Sequence, residues 1–281
     1  MLEEGVANDP VAVDLNVDAA LLLQDMAGID SYPPILALMP NIFDIDDLER
    51  VRAVVAEQLT EVGIIDGDRV HPRVEHWLQC LYRPDVELMA LVLATGLDGE
   101  QKGMLRMSLV RRGDTHVLAV RYDDEVVIQA VYQQERQLDS VSAAVAAALG
   151  DAPALSFEPM TAAQQDLAEV PDDEDGRRQA LLELGAQPRT AGVLGRALGE
   201  VVRRAEVAVV QHQDGVELKP KYGVSVLDTL SGRIIVTPSV AMDGEVRSTY
   251  APGDDAAMHA AIVGLVELLP DRSWFDTSRI G

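Results

Sequence analysis

The sequence predicts an α+β fold: two halves related by a pseudo-twofold, each an antiparallel sheet with helices, plus a helical bundle. Two observations carry this. Valine-rich runs separated by turns and closed by a helix occur twice, from Met104 to Gly150 and from Ala205 to Pro270, and a matching element order is what two sheet-and-helix units would leave behind. Between them, residues 151–204 turn alanine-rich, acidic and proline-punctuated. The 281 residues are enough to bury a sizeable core. The expected layout is a single unit, 1–281, with an N-terminal half at 1–150, a helical insertion with an acidic linker at 151–204, and a C-terminal sheet and helix at 205–281.

Taken in order, Asn16 can cap a first helix whose apolar Leu21, Leu22 and Met26 stop before Gly28. "SYPPILALMP" then reads as extended, because paired prolines lack amide donors. A longer helix follows from an Asp44 cap, since Leu48, Val51, Val55, Leu59 and Val62 recur at three and four residues and form one stripe. In "HPRVEHWLQCLY", Pro72 suits a first helical turn and Val74, Trp77, Leu78 and Leu81 share a face. The period then shortens. "MLRMSLVRRG", "THVLAVRY" and "EVVIQAVY", broken by Gly113 and by Asp123-Asp124, read as antiparallel strands. The helix "DSVSAAVAAALG", capped by Asp139 or Ser140, ends at Gly150. Within 151–204, short helices are expected at "TAAQQDLAEV", "RRQALLELG" and "TAGVLGRALGEVVRR". Strands return at "AEVAVVQHQDG", "YGVSVLD", "GRIIVTP" and "GEVRSTY", and Asp254 or Asp255 opens a last helix that Pro270 stops.

Composition narrows the function. Forty-seven acidic against 23 basic residues give a formal net charge of −24, which repels phosphate backbones and anionic headgroups and favours a protein partner. One cysteine, Cys80, excludes an intramolecular disulfide. The N-terminal stretch lacks a basic segment followed by an apolar core, and no window approaches ~20 uninterrupted apolar residues. A cytoplasmic protein without membrane insertion is expected.

The chemistry-bearing motifs are absent: no nucleophile elbow, Walker loop, dinucleotide glycine fingerprint or paired-histidine zinc motif. His76 and Cys80 lie one helical turn apart, but a metal site needs two further ligands and no spaced set supplies them. No metal and no cofactor are expected. "PDDEDG", from Pro171 to Gly176, would put a proline at the first position of a calcium loop, and reads as a solvated acidic linker. "LDTLSGRIIV" gathers Asp228, Thr229, Ser231 and Arg233. These residue types suit a catalytic site or a hairpin; catalysis needs a base and an orienting partner, and neither is identifiable.

At "YGVSVLDTLSGRIIVTPS", "DGEVRSTYAPGDD" and "ELLPDRSWF" the chain resembles the C-terminal half of the EspG family, ESX secretion-associated proteins of mycobacteria, and "SYPPILAL" and "VHPRVEHWL" match the family's N-terminal half. The resemblance covers nearly the whole chain in the family's block order. Pro34 and Val246 stand where the family more usually has an aromatic, which bears on the paralogue; the member serving the third ESX system is the one expected. The resemblance implies two sheet-containing halves about a quasi-twofold with a helical bundle. It also implies a non-enzymatic chaperone that covers the exposed tip of the PPE subunit in PE–PPE heterodimers and marks them for type VII secretion. An acidic module for an unrelated protein, or an enzyme with a dispersed site, are the other readings the residues leave open.

The family's partner is gripped by the central sheet and the bundle. Alternation puts Arg233 and Thr237 opposite Ile234 and Val236, and Glu245 and Arg247 opposite Val246. Arg233, Thr237, Glu245 and Arg247 are therefore expected to face outward and border the docking surface. Leu194 and Leu198, one turn apart, are expected to supply its apolar contact or else to form bundle core.

Overall fold

The computed structural model describes residues 9–40, 44–96, 99–133, 135–214 and 220–279. A strand the sequence reading missed, β1 (Ala12–Asn16), runs straight into α1 (Val17–Met26), where Asn16 Oδ1 accepts the Ala19 amide at 2.8 Å. "SYPPILALMP" is not wholly extended, because Pro34–Leu36 closes one 3₁₀ turn. Next come α2 (Ile45–Glu61), capped by Asp44, the small hairpin β2 (Ile65–Asp66) and β3 (Arg69–Val70), and α3 (Pro72–Tyr82) with its proline in the first turn. Four strands follow, β4 (Val86–Thr95), β5 (Gln101–Arg112), β6 (Thr115–Tyr122) and β7 (Glu125–Val131), then α4 (Asp139–Leu149). No side chain caps α4, contrary to the Asp139 or Ser140 expectation, while Gly150 ends it at φ +68°.

The stretch expected as a helical insertion departs from the reading at both ends. It opens on β8 (Met160–Ala163), continues through α5 (Gln164–Ala168), α6 (Glu174–Glu183) and α7 (Pro188–Ala197), and its last residues already belong to β9 (Val201–Gln211). The "VVRR" expected as helix is strand because β9 pairs on both sides, with β4 and with β10. Nor is "PDDEDG" a plain linker. Asp173 Oδ1 accepts the Gly176 amide at 2.7 Å and starts α6 at Glu174, with carboxylates favourably placed at the helix N-terminus. The chain closes with β10 (Gly223–Thr229), β11 (Gly232–Val240), β12 (Val246–Pro252) and α8 (Asp255–Glu267), capped by Asp254.

Among the described residues ten strands form one antiparallel sheet in the order β1-β7-β6-β5-β4-β9-β10-β11-β12-β8. That order is palindromic about the β4–β9 seam. Each half is a strand, three helices, a four-strand meander and a final helix, with the first strand returning to the outer edge. Residues 160–197 thus repeat the element order of residues 12–82, apart from the 3₁₀ turn and the β2–β3 hairpin, which the first half adds.

Pleating separates two faces. On one, Val86, Leu88, Ala90 and Val92 of β4, with Val207, Val224, Val226 and Ile235, pack under α4 and α8. On the other, the 3₁₀ turn and α1–α3 cover β5–β7 through Tyr32, Leu36, Trp77 and Leu81, while α5–α7 cover β10–β12 through Leu181, Leu194, Leu227 and Ile234.

Candidate docking face

Among the described residues, the two helical layers on one face of the ten-stranded sheet leave its middle uncovered. The register across the seam aligns Arg106, Leu91, Glu206, Ser225, Val236 and Tyr250 in one row, and Met104, Leu93, Arg204, Leu227 and Ile234 in the next. Met89, Leu91, Leu93 and Ala208 are half-buried, and Arg204 and Glu206 are exposed. The floor is an apolar strip on which Arg204 and Glu206 stand exposed, with half-buried Arg106 at the end of its row.

One wall is the 3₁₀ turn, pinned from below: Arg106 Nη1 donates to the Ile35 carbonyl at 3.1 Å, and Arg121 Nη1 to that of Leu36 at 2.9 Å and also to that of Ala37. The other wall is α7, whose half-buried Val193, with Leu198 at the helix C-cap, packs against the same core cluster as Val236 and Tyr250. Burial pushes the Tyr250 phenol up, while the neighbouring Arg204 pulls it the other way. On the floor, Ser225 Oγ donates to the Glu206 carboxylate, with Oε1 at 2.9 Å and Oε2 at 2.8 Å.

The residues expected at the docking surface fall in three places. Arg233 does not face outward: it is 6% exposed. Its Nε and Nη2 donate to Asp228 Oδ1 and Oδ2 at 2.6 and 3.0 Å, Nη2 also donates to the Gly150 carbonyl at 2.8 Å, and Arg203 Nε holds Asp228 Oδ2 at 2.8 Å. The outward expectation fails because both faces of β11 are covered, so alternation separates two buried sides. "LDTLSGRIIV" is a hairpin with a buried charge cluster. Segment 153–155 clamps it, with the Arg233 amide donating to the Pro153 carbonyl at 2.7 Å and the Leu155 amide to that of Arg233 at 2.9 Å. Gly232, at φ +138°, permits this approach, since a β-carbon there would sit 2.8 Å from the Leu155 nitrogen.

Thr237 and Arg247 lie on the α8 side of the sheet, away from the strip: Thr237 beside a cavity of about 260 Å³ with Ala257 and Ala261, and Arg247 in an exposed pair with Glu245 at 3.1 Å. Leu194 is fully buried bundle core. Leu198, at the α7 C-cap, is half-buried against the bundle core. Met89, Leu91 and Leu93 were missed because β4 was not read as a strand: "VELMALVLAT" is apolar on both faces, so it shows no alternation.

His76 Nε2 lies 3.8 Å from Cys80 Sγ and 3.1 Å from Thr115 Oγ1, and burial pushes the thiol up to about 11. Among the described residues no three His, Cys, Asp or Glu side chains cluster as metal ligands, and no helix is long and apolar enough to cross a membrane.

The model of the EspG family matches residues 16–264. The ESX-1 secretion-associated protein EspG1 of Mycobacterium tuberculosis is 30% identical over 274 residues, covering 97% of this chain and 92% of that protein. The ESX-3 secretion-associated protein EspG3 of Mycolicibacterium smegmatis is 32% identical over 272 residues, covering 95% and 90%. A solved structure of the Mycobacterium tuberculosis type VII secretion chaperone EspG5 in complex with a PE25–PPE41 dimer superposes with a TM-score of 0.77, at 21% identity over 95% of this chain and 100% of that one. That likeness speaks to the fold.

Proposed function

The chain belongs to the EspG family, and we propose that it is a non-enzymatic, cytosolic chaperone that receives the exposed tip of a PPE subunit in a PE–PPE heterodimer, keeps the dimer soluble and directs it to an ESX secretion system. The observation that carries the docking surface is the strip Met89–Leu91–Leu93–Ala208, left uncovered by the described residues between two helical walls. Half-buried apolar side chains on a sheet floor are what a helical tip covers, at ~25 cal/mol per Å² of apolar area before the costs of association. The net charge of −24 then keeps the complex apart from its own copies by repulsion.

Co-expression with PE–PPE pairs followed by size exclusion tests this. At least one pair should co-elute at 1:1:1, and Leu91→Asp should abolish co-elution while the chain stays folded, because Leu91 is only half-buried and lies on the open floor. Failure to retain any PE–PPE pair would remove the reading.

A further inference from the structure

The strip carries a feature that fold and core do not need. Arg204 and Glu206 stand on the same face of β9, two residues and so ~7 Å apart. Glu206 is held upright by Ser225. The Arg204 side chain makes no hydrogen bond or ion pair among the described residues, although the chain has twice as many acidic as basic side chains, and its charge is felt by the Tyr250 phenol. Its lateral neighbours are Leu93 and Leu227. An unpaired guanidinium on an apolar floor, beside a fixed carboxylate, forms an oriented electrostatic step.

We propose that Arg204 and Glu206 set the direction in which a helical-hairpin tip docks. The C-terminal carbonyls of the incoming helix lie over Arg204 and the N-terminal amides of the outgoing helix over Glu206. This rests on the docking reading above and deepens it. A hairpin tip is a pair of helix ends, with unpaired carbonyls and partial negative charge at one and unpaired amides and partial positive charge at the other. A guanidinium supplies donors to the first and a carboxylate acceptors to the second.

The test is a charge swap, read with a PE–PPE dimer that wild type binds; if wild type binds none, the docking reading fails and the swap has nothing to report on. Given binding, Arg204→Glu and Glu206→Arg should each weaken affinity at least tenfold with the thermal midpoint nearly unchanged, since both side chains are exposed. The double variant Arg204→Glu/Glu206→Arg keeps both charges but reverses the step, and should bind no better than the worse single variant. Arg204→Lys should retain most of the affinity. Single reversals within twofold of wild type, or a double variant that restores wild-type affinity, would overturn the proposal, the second by showing that the two groups need only each other.

Discussion

The two halves share an element order and differ in what they cover. The first half lays seventeen-residue α2, a small hairpin and Trp77-bearing α3 over its strands, whereas the second offers five-residue α5 and two helices of ten. The halves are also strapped reciprocally. The segment after α4 crosses to the second sheet half, where Arg233, itself held by Asp228, takes the Gly150 carbonyl through its side chain and residues 153 and 155 through its backbone. The segment after α8 crosses back: Arg111 donates to the carbonyls of Trp274, at 2.6 Å, and Thr277, and Asp85 accepts the Arg279 amide at 2.9 Å. Each half thus closes the other across the β4–β9 seam that floors the strip.

The largest effects should come from the straps. Asp228→Ala leaves the Arg233 guanidinium buried without its carboxylate, and removal of one partner from a buried pair costs about 3–5 kcal/mol. Arg111→Ala should cost a comparable amount and in addition expose Trp274, visible as a red shift in its fluorescence. Urea unfolding of both variants decides whether the straps are equivalent: a silent Arg111→Ala beside a costly Asp228→Ala would break the comparison.

Next come Leu194 of α7 and Leu198 at its C-cap. Leu194 is enclosed by Leu181, Leu227 and Ile234, so Leu194→Ala should cost about 2–5 kcal/mol, while Leu198→Ala should cost less because the side chain is only half-buried. Leu198→Asp should then lower PE–PPE affinity with a modest change in thermal midpoint. Equal destabilisation by both alanine variants would make Leu198 core and move the wall of the strip.

A smaller effect is expected from pH on the strap of the first half. Trp274 Nε1 donates to His116 Nε2 at 3.0 Å, which requires an unprotonated nitrogen, and burial pushes the His116 pKa down. The unfolded chain therefore binds the proton more readily. This contribution to stability is complete above about 6.5 and fades as pH falls toward the depressed folded value. Urea midpoints at pH 7.5 and 5.5 should show a drop that His116→Gln reduces, because an amide oxygen accepts the indole N–H at either pH.

How much of this was legible in the sequence follows from what each signal measures. Caps at Asn16, Asp44 and Asp254 were readable because a side-chain acceptor beside a periodic apolar run has one local use. The meanders were readable where one face is more polar. β4 was not, because its alternate faces pack under α4 and α8 or floor the strip, and both want apolar residues. β1 and β8 were not, because five and four residues gain strand identity only from the edges they join, and those edges are long-range pairings. Arg233 was misplaced for the same reason: alternation tells which residues share a side but not whether a helix lies on that side.

The smallest expected effect tests the faces themselves. Arg247 and Glu245 pair at 3.1 Å with both side chains about half exposed, 49% and 48%, and such pairs contribute 0–1 kcal/mol on the usual scale. Arg247 shares its face with Thr249, which bonds Thr161 across to β8, and with Ala251 beside the cavity under α8; the strip is on the far side. Arg247→Glu replaces the pair with two carboxylates and should shift stability by no more than ~0.5 kcal/mol, typical of exposed surface positions. It should leave affinity for every PE–PPE pair that wild type binds unchanged, in contrast to Leu91→Asp. Calorimetric titration of both variants against one dimer sharpens the assignment: a tenfold loss with Arg247→Glu at unchanged stability would mean that the partner wraps the β12 edge and reaches the α8 face, so that the two faces of the second half, and not the seam alone, make the docking surface.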